Sequence, residues 1–100
     1  MERSFAMGLE WTDSHYDALD EIYEEALGRG KLGRPVRKEQ VVDAAMRVTK
    51  RGAGSVFYQF GNMTAARTEL GLRTLRAIGP IAHRAEKPIT FLKRKHCRRP

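Results

Sequence analysis

Arg73, Thr74 and Arg76, in the stretch LRTLRA, bring two guanidinium groups and a hydroxyl within four positions. An arginine can pair bidentately with guanine O6 and N7, and a threonine can meet a phosphate or a thymine methyl, so these are side chains suited to reading bases. They need a scaffold. On the pattern of apolar positions, residues 64–70 and 72–78 read as two short helices around Gly71, the second presenting the three side chains to a groove. The same arginines would equally serve a solvated helix face. Lys31, Arg34, Arg37, Lys38, Arg67, Lys93, Arg94, Lys95, Arg98 and Arg99 are the candidates for phosphate contacts, which set affinity rather than sequence preference.

Other chemistries find less material. His15, His83 and His96 are far apart, and Cys97 has no second cysteine, so no zinc spacing is present. There is no phosphate-binding glycine loop, no H-E-x-x-H and no Gly-x-Ser-x-Gly. The expectation is a protein that is not an enzyme and that carries no metal, no cofactor and no small-molecule substrate.

Charge gives the strongest global signal. The chain of 100 residues has a formal net charge of +7. Residues 1–27 hold eight acids and one base, for −7, whereas residues 28–100 hold four acids and eighteen bases, for +14. A field of that size attracts polyanions, while the acidic segment can fold onto the basic one or face a basic protein. A single thiol points to a reducing cytoplasm. The stretch MERSFAMGLEW is not a long apolar run, and nothing approaches the ~18 apolar residues of a membrane span, so the expectation is a chain neither exported nor membrane-embedded.

The elements that must carry these groups are helical, and with 41% hydrophobic residues the chain suffices for one domain over residues 1–100. Residues 12–27 form an acidic amphipathic helix, with Tyr16, Leu19, Tyr23 and Ala26 on its stripe, Asp17, Asp20, Glu21, Glu24 and Glu25 elsewhere, and Thr12, Asp13 or Ser14 as cap. Three glycines and a proline make residues 28–35 a basic linker or arm. A basic helical core over 36–86 begins with a helix bearing Val41, Val42, Ala45 and Val48, stopped at Gly52. Residues 56–60 read as helix or strand. A third helical pattern begins at Asn62 or Thr64, IAHRAEK forms another short helix, Pro88 breaks it, and 87–100 trail off as a basic tail. The fold class is all-α, a small bundle of three to five short helices with a helix-turn-helix as one arrangement of them.

Two stretches resemble known DNA-binding families. Residues 33–52, a Gly-Arg-Pro arm followed by EQVVDAAMRVTKRG, resemble the start of the tetracycline-repressor (TetR) family, and SVFYQFGNMTA at 55–65 resembles the end of its recognition helix. Only Ala53 and Gly54 separate the pieces, where that family has a further helix and turn. GNMTAARTELGLRTLR, residues 61–76, resembles the C-terminal helix-turn-helix of the Fis family, with its alanine pair and glycine offset. Both resemblances imply a helix-turn-helix DNA-binding protein.

Charge and resemblance together lead to the expectation of a small basic bacterial or phage-type DNA-binding protein, a homodimer that regulates transcription or organises DNA. The alternative is an interaction protein that binds and inhibits a larger protein or ribonucleoprotein machine, suggested by an acidic helix beside a basic body. A ribosome-associated or RNA-binding role rests on LKRKHCRRP alone.

Overall fold

The structure, a computed structural model, describes residues 10–97. It contains four helices and, among the described residues, no strand: α1 Asp13–Lys31, α2 Lys38–Thr49, α3 Ala53–Leu70 and α4 Glu86–His96. Helix α1 packs on α2 and α4, and α3 packs on both α2 and α4, giving the expected small all-α bundle. Its core joins Tyr16, Leu19, Tyr23 and Ala26 of α1 to Val41 and Ala45 of α2, Val56, Phe60, Met63 and Ala66 of α3, and Ile89, Phe91 and Leu92 of α4.

Thr12 caps α1. Its Oγ1 accepts from the His15 N–H (3.3 Å), and its own N–H donates to His15 Nδ1 (3.1 Å), a reciprocal box with histidine in the place usually held by glutamate. Burial first, and then the charge of Arg51, hold the His15 pKa below its ordinary value, which keeps Nδ1 free to accept.

Helix α1 runs four residues further than the pattern suggests, through Gly28, Arg29 and Gly30 to Lys31, where a linker was expected. The glycines weaken a helix, but here the chain turns only at Gly33 (φ 80°), where the Gly33 N–H reaches Gly30 O (3.0 Å) and the Arg34 N–H reaches Arg29 O (3.0 Å). This is the Schellman pattern, which satisfies the last carbonyls of the helix. It leaves Arg34–Arg37 outside any helix, with Arg37 in an extended conformation (φ −108°, ψ 135°).

The ambiguous residues 56–60 are helical and belong to α3, which runs without a break through Gly61 and Asn62. A side chain at Gly61 would put its Cβ 2.5 Å from Ile81 Cγ2, so this helical glycine allows a close crossing by the segment between α3 and α4. The Ile81 N–H donates to Gly61 O (3.3 Å), and the buried Asn62 Oδ1 accepts from the Ala85 N–H (2.8 Å).

That crossing segment corrects two expectations. Residues 72–78 are not a helix, and neither are residues 81–85 of IAHRAEK, whose last two residues begin α4. Gly71 (φ 75°) ends α3 in a second Schellman turn, with Leu72 N–H on Arg67 O (2.8 Å) and Gly71 N–H on Thr68 O (3.2 Å). Beyond it the backbone is held open by side chains, since the Leu75 N–H donates to Tyr23 Oη (2.9 Å) and the Arg73 carbonyl accepts from Arg67 Nη1 (2.8 Å). Residues 71–85 therefore form a strap, pinned by Leu75 and Ile78 in the core. The supposed tail is also corrected, because Glu86–His96 is a packed helix. Pro88 lies in its first turn, where a missing N–H costs no intrahelical bond.

Candidate functional site

The two Schellman turns deliver the two basic segments to one place. The chain leaving α1 supplies Lys31 and Arg34, the strap leaving α3 supplies Arg73, Thr74 and Arg76, and these five side chains line one groove of about 460 Å³. Ala26, Leu27, Val36 and Leu75 form its apolar floor and sides. The strap is shaped for this. Leu75 points into the core, anchored at both its backbone N–H and its side chain, while Arg73, Thr74 and Arg76 around it are exposed.

No acid lines this groove, and none of Lys31, Arg34, Arg73 and Arg76 forms an ion pair among the described residues. Lys31 is also at the C-terminus of α1, where the helix dipole favours a cation. The expected base-reading residues are thus brought together with two of the expected phosphate contacts. They stand on an irregular strap, however, with Arg76 in a hydrogen-bonded turn, and not on a recognition helix.

The remaining candidates have other surroundings. Arg37 and Lys38 are exposed at the start of α2, where Lys38 Nζ lies 4.9 Å from the Phe57 ring centroid. Lys93 is exposed on α4. Arg94 pairs with Asp13 (2.7 Å), and Lys95 pairs with Asp17 (2.7 Å) and Asp20 (2.9 Å), so the acids of α1 occupy these bases of α4. Arg98 and Arg99 lie outside the described residues.

Arg67 is a correction. It is 1% exposed, which removes it from any phosphate surface. Its Nη2 donates to Asp20 Oδ1 (2.7 Å) and to Glu24, its Nη1 holds the Arg73 carbonyl, and its guanidinium carbon lies 4.5 Å from the Tyr23 ring centroid. Tyr23 Oη in turn bonds Thr64 Oγ1 (2.7 Å). A buried charge needs such partners, because desolvation costs several kcal/mol per ion when uncompensated.

Asp20, fully buried, is the residue that sequence reasoning missed, having placed it with Asp17, Glu21, Glu24 and Glu25 off the apolar stripe. Its position was legible: 16, 19, 20, 23, 26 and 27 follow the three- and four-residue steps of one stripe. Burial works to raise the Asp20 pKa, but hydrogen bonds from Arg67, Lys95 and His96 outweigh it and hold the carboxylate below its ordinary range. For Arg67 burial is likewise outweighed by Glu24 and Asp20, and its pKa rises. Asp20, Glu24 and His96 bring potential metal ligands within 4.8 Å of one another. Arg67, Lys95 and His96 already bond both Asp20 oxygens, which makes the cluster an ion-pair network rather than a metal centre.

No helix among the described residues is long and apolar enough to cross a membrane. No family model, curated protein or solved structure matches this chain.

Proposed function

We propose that the chain binds nucleic acid, DNA first, through phosphate contacts in the groove between the end of α1 and the strap. The observation that carries this reading is the gathering of Lys31, Arg34, Arg73 and Arg76, from segments about forty residues apart in sequence, into one concavity with no acid to neutralise them. Like charges held together repel, and a polyanion relieves that repulsion while releasing its own counterions. Thr74 adds a hydroxyl for a phosphate oxygen. A non-helical strap does not enter a major groove as a helix does, so backbone contact sets the affinity and the role is DNA organisation in the cytoplasm more than site-specific regulation. A homodimer would double the phosphate contacts. In this reading the protein is not an enzyme and uses no cofactor.

Fluorescence anisotropy of a labelled DNA across a salt series tests it. Binding that weakens steeply with salt, with a logarithmic slope of about −3.6 on a duplex for four neutralised phosphates, is the expected result. Absence of binding at low salt removes the proposal.

A second reading, a protein partner, is favoured by one observation. Val48, Phe57 and Tyr58 are exposed at 60%, 42% and 53%, unusual for large apolar side chains close in sequence near the α2–α3 turn. A nuclease-treated pull-down that retains a stoichiometric protein would move the weight to this reading, provided substitution of Tyr58 abolishes the capture.

A further inference from the structure

We infer that the groove continues into a second cation-lined groove, and that the pair forms a track for the sugar-phosphate backbone of a single nucleic-acid strand; this rests on the nucleic-acid reading above. The second groove, about 560 Å³, is lined by Arg29, Arg34, Pro35, Arg37, Gln40 and Ala44, again with no acid. Arg34 lines both grooves and stands at their junction.

The segment Arg34–Arg37 is the ridge between them. Its side chains divide between the two sides. Val36 lines the first groove, while Pro35 and Arg37 line the second. A ligand occupying both must turn over this ridge at Arg34. A duplex, with a persistence length of ~150 base pairs, does not bend into two small concavities, whereas a single strand does. Each groove has the size of a small-molecule site (~300–1,000 Å³), room for one or two nucleotides. No aromatic side chain lines either, so binding rests on phosphates, indifferent to base and steep in salt. Arg29 is partly engaged by Glu25 (3.8 Å), which leaves Arg34 and Arg37 as the principal cations of the second groove.

Two substitutions isolate that groove without touching the core. The Arg37 side chain makes no capping bond to α2, so Arg37→Ala removes charge alone. Gln40→Glu places a negative charge in the groove but in the first turn of α2, where the helix dipole favours an acid, so loss of binding cannot be attributed to unfolding.

The experiment titrates labelled thymidine oligomers, from the dimer to the hexadecamer, and a duplex matching the longest, against the wild type, R37A, Q40E and R73A/R76A. Wild-type affinity is expected to climb with length and level off once both grooves are filled, with the single strand bound more tightly than the duplex. R37A and Q40E are each expected to weaken the long oligomers about two- to fivefold, to lower the salt exponent by about 0.7 for R37A, and to leave the shortest oligomers that bind unchanged. If R37A and Q40E leave long oligomers unaffected while R73A/R76A weakens them, the first groove acts alone and the track is overturned, with the nucleic-acid reading intact. Tighter binding of the duplex also overturns it. If no oligomer and no duplex binds, both readings fall.

Discussion

Arg67 and Arg73 lie six residues apart, are joined by a hydrogen bond, and have opposite fates. Arg67 is buried against Asp20 and Glu24, in a network that Lys95 and His96 complete from α4. Arg73 is exposed beside Arg76, Lys31 and Arg34 with no acid among the residues lining their groove. The difference originates in α1, whose acids Asp13, Asp17, Asp20 and Glu24 occupy its first three turns and whose cations Arg29 and Lys31 occupy its last. Where α1 is acidic it absorbs the bases of α3 and α4 into the structure. Where it turns basic, no acid among the described residues pairs with Arg73 or Arg76 of the strap that passes it, and that surplus is what a polyanion would meet.

The contrast breaks most visibly at Arg67. Arg67→Ala leaves Asp20 without its closest buried partner and frees the Arg73 carbonyl, with an expected destabilisation of about 3–5 kcal/mol by chemical denaturation. Gly61→Ala forces its new Cβ against Ile81 where the strap crosses α3, with an expected loss of about 1–3 kcal/mol in the same assay. Tyr23→Phe removes the acceptor of the Leu75 N–H and the partner of Thr64, for about 1–3 kcal/mol, and is also expected to loosen the groove and weaken DNA binding. Substitutions in the groove itself, R34A or R73A/R76A, are expected to move stability by no more than about 0.5 kcal/mol while weakening DNA binding. An Arg73 variant that melts as easily as the Arg67 variant would erase the distinction between the two regions.

Acid sharpens the comparison. The folded pKa of Asp20 lies below its ordinary value, so its contribution is fully present above the ordinary carboxylate pKa and is lost as pH falls through the folded value. The lowered His15 pKa acts in the same direction, withdrawing stability as pH falls below the ordinary histidine value. Thermal melts are therefore expected to show falling stability on acidification from neutrality, in a first shallow step and then a steeper one below about pH 4.

Much of the fold was legible because the apolar stripes of α1 and α2 are regular, and the spacing of Tyr16, Leu19, Tyr23 and Ala26 is enough to place a helix. What escaped was non-local. Gly28 and Gly30 read as a linker, yet the helix ends only where Gly33 adopts a left-handed turn. The sequence LRTLRAI has helical spacing, but the hydroxyl of Tyr23, fifty-two residues from Leu75, takes the Leu75 N–H that a helix would use. Pro88 marks a helix start rather than a break, and KRKH reads as tail because the acids that pair with it lie about eighty residues earlier. The candidate residues Lys31, Arg34, Arg73, Thr74 and Arg76 were singled out by residue type, the last three also by a helix that does not form. Their convergence was not visible, because no local pattern brings residue 34 beside residue 76.

The most direct test compares two double variants that each remove two positive charges, R73A/R76A and K93A/R94A, by anisotropy with the same labelled DNA across the same salt series. Because the groove cations have no ion pair among the described residues, while Arg94 is paired with Asp13 and neither it nor Lys93 lines the groove, R73A/R76A is expected to weaken binding more and to reduce the salt exponent by about 1.5 to 2, with a smaller change for K93A/R94A. Equal losses in the two variants would mean that net charge alone draws the polyanion, and the groove would lose its claim to be the site.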